Sequence, residues 1–271
     1  MMTELPELPF IDTMMTTIVF YGFERRLPVR EAKALIDNIC GLLDETPSHA
    51  HVGLGEGRKS RAPKFVMLDK AIAKGDFDEY SYIEGVNYFE KGNVRDCNLA
   101  VGVGGAPDRQ TFEIHYQRDR KKPVGVDAML REVLRHLSPH YGILYDLTVR
   151  EGPRWFIRGQ CSSGMPDALC RASSEFQQQY LFGKKFKDGF FRDVFKWNYL
   201  NPAHLDKMIE GMRFQDWIGQ PLKKKGWLGK PKSYGALSVM DNGYAVWELT
   251  KEEAAEVRPL MLKADLLMVR S

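Results

Sequence analysis

Apolar and polar residues alternate through residues 193–199 and again through 244–249, the period-two pattern of half-buried strands. Residues 15–23 are rich in Thr, Ile, Val, Phe and Tyr and predict a third strand. Residues 80–89, 98–103, 110–117 and 142–149 read the same way, and 155–158 extends or pairs with the last of them. A helical period runs through Ala32, Leu35, Ile36, Ile39, Leu42 and Leu43. Pro28 opens that helix, where its missing N–H costs little. A second amphipathic helix covers 126–137, with Asp127 in the first turn, where the helix dipole favours an acid.

The remaining stretches are shorter. Residues 46–63 read as a loop, and 65–73 fits strand and helix equally. A mixed helix covers 166–182, and an aromatic, basic turn covers 186–191. Asn201-Pro202 starts a helix to about 209, and 213–218 forms another. Asp241-Asn242-Gly243 joins 236–240 to 244–249 as a hairpin. Thr250 caps a helix over 251–262 with Glu253 at the capping-box position, and Pro259 should bend or shorten it.

These elements predict an α+β fold: a mixed, largely antiparallel sheet with helices packed on one face. The expected layout is a flexible arm (1–12), an N-terminal part (13–160) and a C-terminal part (161–271). The two parts form either two subdomains or one continuous domain. Trp197, Trp217 and Trp247 place much aromatic area in the last part, with Trp227 as a fourth, which marks a core.

Composition changes the picture little. A net charge of +3 is too mild to imply nucleic-acid binding and too basic for a DNA mimic. Cys40, Cys97, Cys161 and Cys170 lack CxxC spacing and read as free, buried cysteines. Residues 1–9 carry Glu4 and Glu7 without a basic region before an apolar run, so no secretory signal is expected. No stretch has the roughly 20 apolar residues of a membrane helix. The expectation is a cytoplasmic protein, monomeric or weakly dimeric, with no membrane partner.

Candidate chemistry is thin. Gly53-Leu54-Gly55-Glu56-Gly57 and Gly102-Val103-Gly104-Gly105 lack the strand–helix context of a phosphate loop. His136 and His140 have ligand spacing, but Pro139 interrupts the helix between them. Cys161 and Cys170 have no histidine at motif spacing, and Ser162-Ser163-Gly164 is not a nucleophile elbow. Glu248-Leu249-Thr250-Lys251 is the nearest fragment of a nuclease motif. None is assigned as catalytic, and no cofactor, metal or enzymatic activity is expected.

Charge distribution is more informative. Asp76, Asp78, Glu79, Glu84 and Glu90 fall in a run with no Lys or Arg, interleaved with Tyr80, Tyr82, Tyr88 and Phe89. Such an acidic, aromatic face could dock on a basic cleft of another protein. The stretch from Lys184 to Lys232 has twelve basic residues against five acids and is the alternative, a nucleic-acid-binding surface.

Arg192-Asp193-Val194-Phe195-Lys196-Trp197-Asn198-Tyr199-Leu200-Asn201, then His204-Leu205, Trp247-Glu248-Leu249 and the close Val257, Leu262 and Leu266-Leu267, carry a resemblance. The last 80 residues are similar to the C-terminal half of the immunity protein 52 family and related type VI immunity proteins of bacterial polymorphic-toxin systems. Residues 220–233 read as an insertion relative to that pattern. The resemblance implies an α+β protein that binds and neutralises a cognate type VI effector, typically a restriction-endonuclease-like nuclease, by covering its active site or substrate cleft. It points to Arg192, Asp193, Trp197, Asn198 and Trp247 as family-like, structural positions.

Overall fold

Strand β1 (Met14–Tyr21) is apolar on both faces and therefore belongs in the middle of a sheet covered on both sides. Ile18 and Phe20 point to one core, and Val19 and Tyr21 to another. In the computed structural model, which describes residues 9–54, 61–90, 97–105, 109–119, 125–219 and 234–271, that is where it lies. It pairs with β5 (Thr111–Gln117) on one side and β6 (Tyr141–Thr148) on the other. Beyond β5 come β4 (Cys97–Gly104), β3 (Tyr80–Tyr88) and β2 (His49–Leu54). Beyond β6 come β7 (Trp197–Leu200), β11 (Ala245–Glu248) and β10 (Ala236–Val239). All the pairings are antiparallel, so one nine-stranded sheet runs through residues on both sides of position 160.

The α+β class and the antiparallel sheet are as the sequence predicts. Helices, however, occupy both faces rather than one. Helices α1 (Val29–Leu42), α2 (Leu68–Ala73) and α3 (Val126–His136) pack on the face that carries Ile18 and Phe20. Helices α4 (Pro153–Ile157), α5 (Asp167–Phe182), α6 (Pro202–Leu205), α7 (Phe214–Ile218) and α8 (Lys251–Lys263) pack on the face that carries Val19 and Tyr21. The physical reason is the two-sided apolarity of β1, β6 and β7, which leaves no face for solvent.

Local chemistry sets several boundaries. Thr250 Oγ1 accepts from the Glu253 amide at 3.1 Å, and the Glu253 carboxylate accepts from the Thr250 amide at 2.8 Å. This reciprocal cap starts α8, which runs through Pro259. In the β10–β11 hairpin, Gly243 takes a φ of +79°, and Asn242 accepts from the Tyr244 amide at 3.1 Å.

Four local expectations are corrected. Residues 49–54 form an edge strand rather than part of a loop: Ala50 and Val52 enter the core, while His49 and His51 turn to the other face. Backbone hydrogen bonds of 2.8 Å between Val52 and Arg61 in both directions cover the edge. Residues 155–158 do not extend β6; Pro153 after the left-handed Gly152 (φ +66°) opens α4 instead. The helix after Asn201 stops at Leu205, and the chain then makes the small hairpin of β8 (Met208–Ile209) and β9 (Met212–Arg213). Cys161 and Cys170 form a disulfide across nine positions, and Cys40 and Cys97 are free and buried. Of the expected arm, residues 1–8 lie outside the described residues. Phe10 is buried and stacks on Phe89 with ring centroids 4.8 Å apart, and Asp12 pairs with Arg150 at 3.1 Å.

Candidate functional site

The two halves of the Val19/Tyr21 face differ. Over β6, β7 and β11 the later helices bury an aromatic core that includes Tyr141, Phe191, Phe214, Trp217 and Trp247. Over β2, β3 and β4 the apolar cluster shrinks to Val86, Cys97 and Ala100 with Tyr88 beside them. Glycines replace bulk there. A Cβ on Gly102 would lie 2.4 Å from that of Glu84, and one on Gly104 would lie 2.4 Å from that of Tyr82. One on Gly53 would fall 2.1 Å from the Tyr82 ring. Only glycine lets the side chains of β3 lie across both neighbouring strands.

This floor and a wall from the end of α4 and from α5 enclose a cleft of about 680 Å³. Ile157, Phe176 and Leu181 give the wall its apolar part, and Gln160 and Gln177 its amides. Arg26, Arg109 and Arg158 also line the cleft. Arg26 and Arg158 are exposed, and among the described residues neither has a carboxylate within salt-bridge distance.

The cleft's own carboxylates, Glu84 and Glu113, are held by a side chain from α4 on the same face of the sheet. Arg154 on α4 donates to Glu113 Oε1 at 2.7 Å and also bonds Glu84. Its other terminal nitrogen lies 3.4 Å from Cys97 Sγ. His51 Nδ1 meets Glu84 at 2.9 Å, and His51 Nε2 is hydrogen-bonded to the Tyr88 hydroxyl. Burial pushes the Glu84 carboxyl up, but Arg154 and His51 together outweigh it and hold it below the usual carboxylate range. Burial and the Arg154 charge push His115 down to about 3, so it is neutral and bonds Thr17 at 2.9 Å. Burial pushes the Cys97 thiol up, away from thiolate reactivity. These buried groups are matched to one another, and the arginines at the surface of the cleft are what a ligand would meet.

The sequence-predicted face is split by the structure. Asp76, Asp78 and Glu79 are exposed in the turn before β3, and Glu90 is exposed after it. Tyr82 lines the cleft. Tyr80 and Glu84 are not surface residues: Tyr80 is buried with its hydroxyl donating to Leu27 O at 2.6 Å, and Glu84 is buried against Arg154. A backbone irregularity between Gly53 and Leu54, opposite residues 80–82, turns Tyr80 into the α1 core while Tyr82 lies on the cleft side.

The family-like positions are all in the core or beside it. Arg192 is fully buried, its guanidinium 3.8 Å from the Phe156 ring centroid and 4.1 Å from that of Phe176. It donates to the Tyr21 hydroxyl at 2.8 Å and to the carbonyls of Phe156 and Ile157. Asp193 accepts from Arg258 at 2.8 Å. Asn198 donates to Phe195 O at 2.7 Å, and Trp247 Nε1 donates to Tyr234 O at 2.8 Å. Trp197 meets Phe20 edge-on at 6.2 Å.

Much of the basic stretch is engaged internally. Lys184 is buried against Asp265 at 2.9 Å and Leu267 O at 2.9 Å, and Lys196 pairs with Asp146. Arg213 pairs with Asp216 at 3.0 Å, and Lys207 sits 4.3 Å from the Phe190 ring centroid. Lys223, Lys224, Lys225, Lys230 and Lys232, with Trp227 and the rest of 220–233, lie outside the described residues. Residues 55–57 of the first glycine run lie outside them too. Among the described residues, no three His, Cys, Asp or Glu side chains are grouped to hold a metal, and no helix is long and apolar enough to cross a membrane.

Sequence reasoning missed Arg154, Glu113, Arg26 and Arg158, and it placed His51 in a loop rather than on β2. Gly152-Pro153 signals the short helix that aims Arg154, and Glu113 stands between Phe112 and Ile114 on the opposite face of a strand. Their convergence spans 70 positions from Glu84 to Arg154 and leaves no local pattern.

This architecture is similar to that of the Pseudomonas aeruginosa type VI secretion system (T6SS) protein PA0821, with a TM-score of 0.50 at 13% identity. The match covers 86% of this chain and 65% of that one. At that identity the likeness is one of fold. No family model and no curated protein matches the chain.

Proposed function

We propose that this chain is a type VI immunity protein that binds a cognate effector, a nuclease, and neutralises it by covering its active site or substrate cleft. It acts by binding rather than by catalysis, in the cytoplasm. The observation that carries this reading is the uneven cover of the sheet. A rigid, nine-stranded platform leaves a charged, glycine-floored cleft on one half of one face, a preformed surface that can bind without rearranging. The fold likeness to a T6SS protein supports the same context. So does the resemblance of residues 192–205 and 247–267 to type VI immunity proteins.

The test is co-expression with the product of the adjacent gene. Growth rescue together with a stable co-purifying complex is expected. A harmless neighbour, or a toxin that still kills in the presence of this chain, would sink the proposal.

A further inference from the structure

The sequence places acids at the expected docking face, yet the cleft presents the opposite sign. Glu84 and Glu113 are its carboxylates, and Arg154 from α4 pairs with both and offsets one of their two charges, so that Arg26 and Arg158 tip the balance to positive. Arg26 and Arg158 line the cleft without carboxylate partners among the described residues. An incoming ligand therefore meets a net positive cleft with low-dielectric aromatic walls at Tyr21, Phe176 and Tyr180, where a counter-charge is attracted more strongly than on open surface. Glu84 and Tyr82 of β3 lie across Gly102 and Gly104 and make the floor of the cleft polar. Gln160 and Gln177 add amides that can both donate to and accept from a peptide.

We propose that the cleft seats an acidic segment of the partner protein: an extended loop bearing Asp or Glu side chains whose carboxylates pair with Arg26 and Arg158 while its backbone meets the amides of Gln160 and Gln177. The identity of the partner rests on the immunity reading, but the chemistry of the segment does not. Guanidinium groups suit this ligand because they pair with carboxylates in a planar, two-pronged geometry. The exposed acids Asp76 and Asp78 stand in the turn before β3 and would repel a misregistered acidic segment rather than bind the partner.

The test titrates the full chain with a Glu/Gly peptide and, separately, a Lys/Gly peptide of equal length, following backbone amide resonances. Saturable shifts at Gly102 and Gly104 with the acidic peptide alone are expected. Arg26→Glu/Arg158→Glu should weaken them at least tenfold and leave the far-ultraviolet circular dichroism unchanged, since both side chains are exposed. Equal response to the two peptides, shifts confined to other faces, no shifts, or undiminished binding by the double variant overturns the proposal. The adjacent-gene growth assay is read beside it. If the wild-type chain rescues and the double variant rescues equally well, the cleft proposal falls while the immunity reading stands. If the wild type does not rescue, the immunity reading falls, and the peptide titration still decides the cleft.

Discussion

Arg192, fully buried, and Arg154, half-buried, put two guanidinium groups on the same side of the sheet, and their surroundings are opposite. Arg192 is matched by a phenol, two carbonyls and two aromatic rings. Arg154 is matched by two carboxylates. Both act on α4. Arg192 reaches the carbonyls at the end of that helix, and Arg154 projects from its start to β3 and β5. A helix of only five residues has little stability of its own, so these two contacts fix it. The difference shows what each half of the face requires. The closed half fills its space with rings and accommodates one cation through their faces. The half beside the cleft, floored by glycine, neutralises charge with charge.

The largest expected effect breaks the charged side. Arg154→Met leaves Glu84 and Glu113 buried without a cation and should cost about 3–5 kcal/mol in urea unfolding. Adding Glu84→Gln and Glu113→Gln should restore much of that loss. If it does not, the carboxylates are not what Arg154 serves. Arg192→Met should cost less, about 2–3 kcal/mol, because it strands neutral acceptors rather than ions. A larger loss than that of Arg154→Met would reverse the comparison. Next comes the disulfide that ties the segment after α4 to the start of α5. Cys161→Ser/Cys170→Ser should lower stability by about 2.5 kcal/mol, the value for a closed loop of this length.

Each half also holds one buried, neutral histidine. Burial is the chief cause for both: it pushes His115 down to about 3 beside the charged cluster, and His204 to about 3 in the aromatic core. A depressed histidine stays neutral in the folded state and takes up a proton on unfolding. Its stabilising contribution is whole above about pH 6.5 and falls as the pH drops toward 3. Each should therefore add about 1.4 kcal/mol of lost stability per pH unit through the middle of that window. Unfolding in urea from pH 7 to 4 measures the slope, and His115→Gln should reduce it, leaving the share of His204 and of His140, which burial also pushes down. The low-lying Glu84 adds its own loss only below the ordinary carboxylate range. The smallest effect is expected at the exposed turn: Asp76→Lys/Asp78→Lys should change stability by no more than about 0.5 kcal/mol.

Most strands and the main helices could be read from periodicity because each depends on neighbours within one element, but of the strand expected over 193–199 only 197–199 fall in β7. The Thr250 cap and the Asp241-Asn242-Gly243 hairpin were legible for the same reason. Strand β2 was not, since its polar positions His49 and His51 read as a loop, while His51 is in fact held by Glu84 and Tyr88 on the sheet. Residues 155–157 carry strand-like residues, and the local override by Gly152-Pro153 decided for helix. The Asp76–Glu90 run was read by charge alone. The sequence cannot show that Glu84 meets Arg154 or that Arg26 and Arg158 share a cleft, because these residues come together only through the sheet order.

The position of β1 has a consequence for how the chain is made. It precedes the other described strands of the sheet, yet it occupies the centre, and its β6 partners lie more than a hundred residues downstream. At ribosomal speeds of about 5–20 residues per second, this apolar segment waits on the order of 10 s with both edges unsatisfied. Nascent chains paused before residue 141 should therefore be chaperone clients, and the sheet can be completed only once β11 at residues 245–248 has been made.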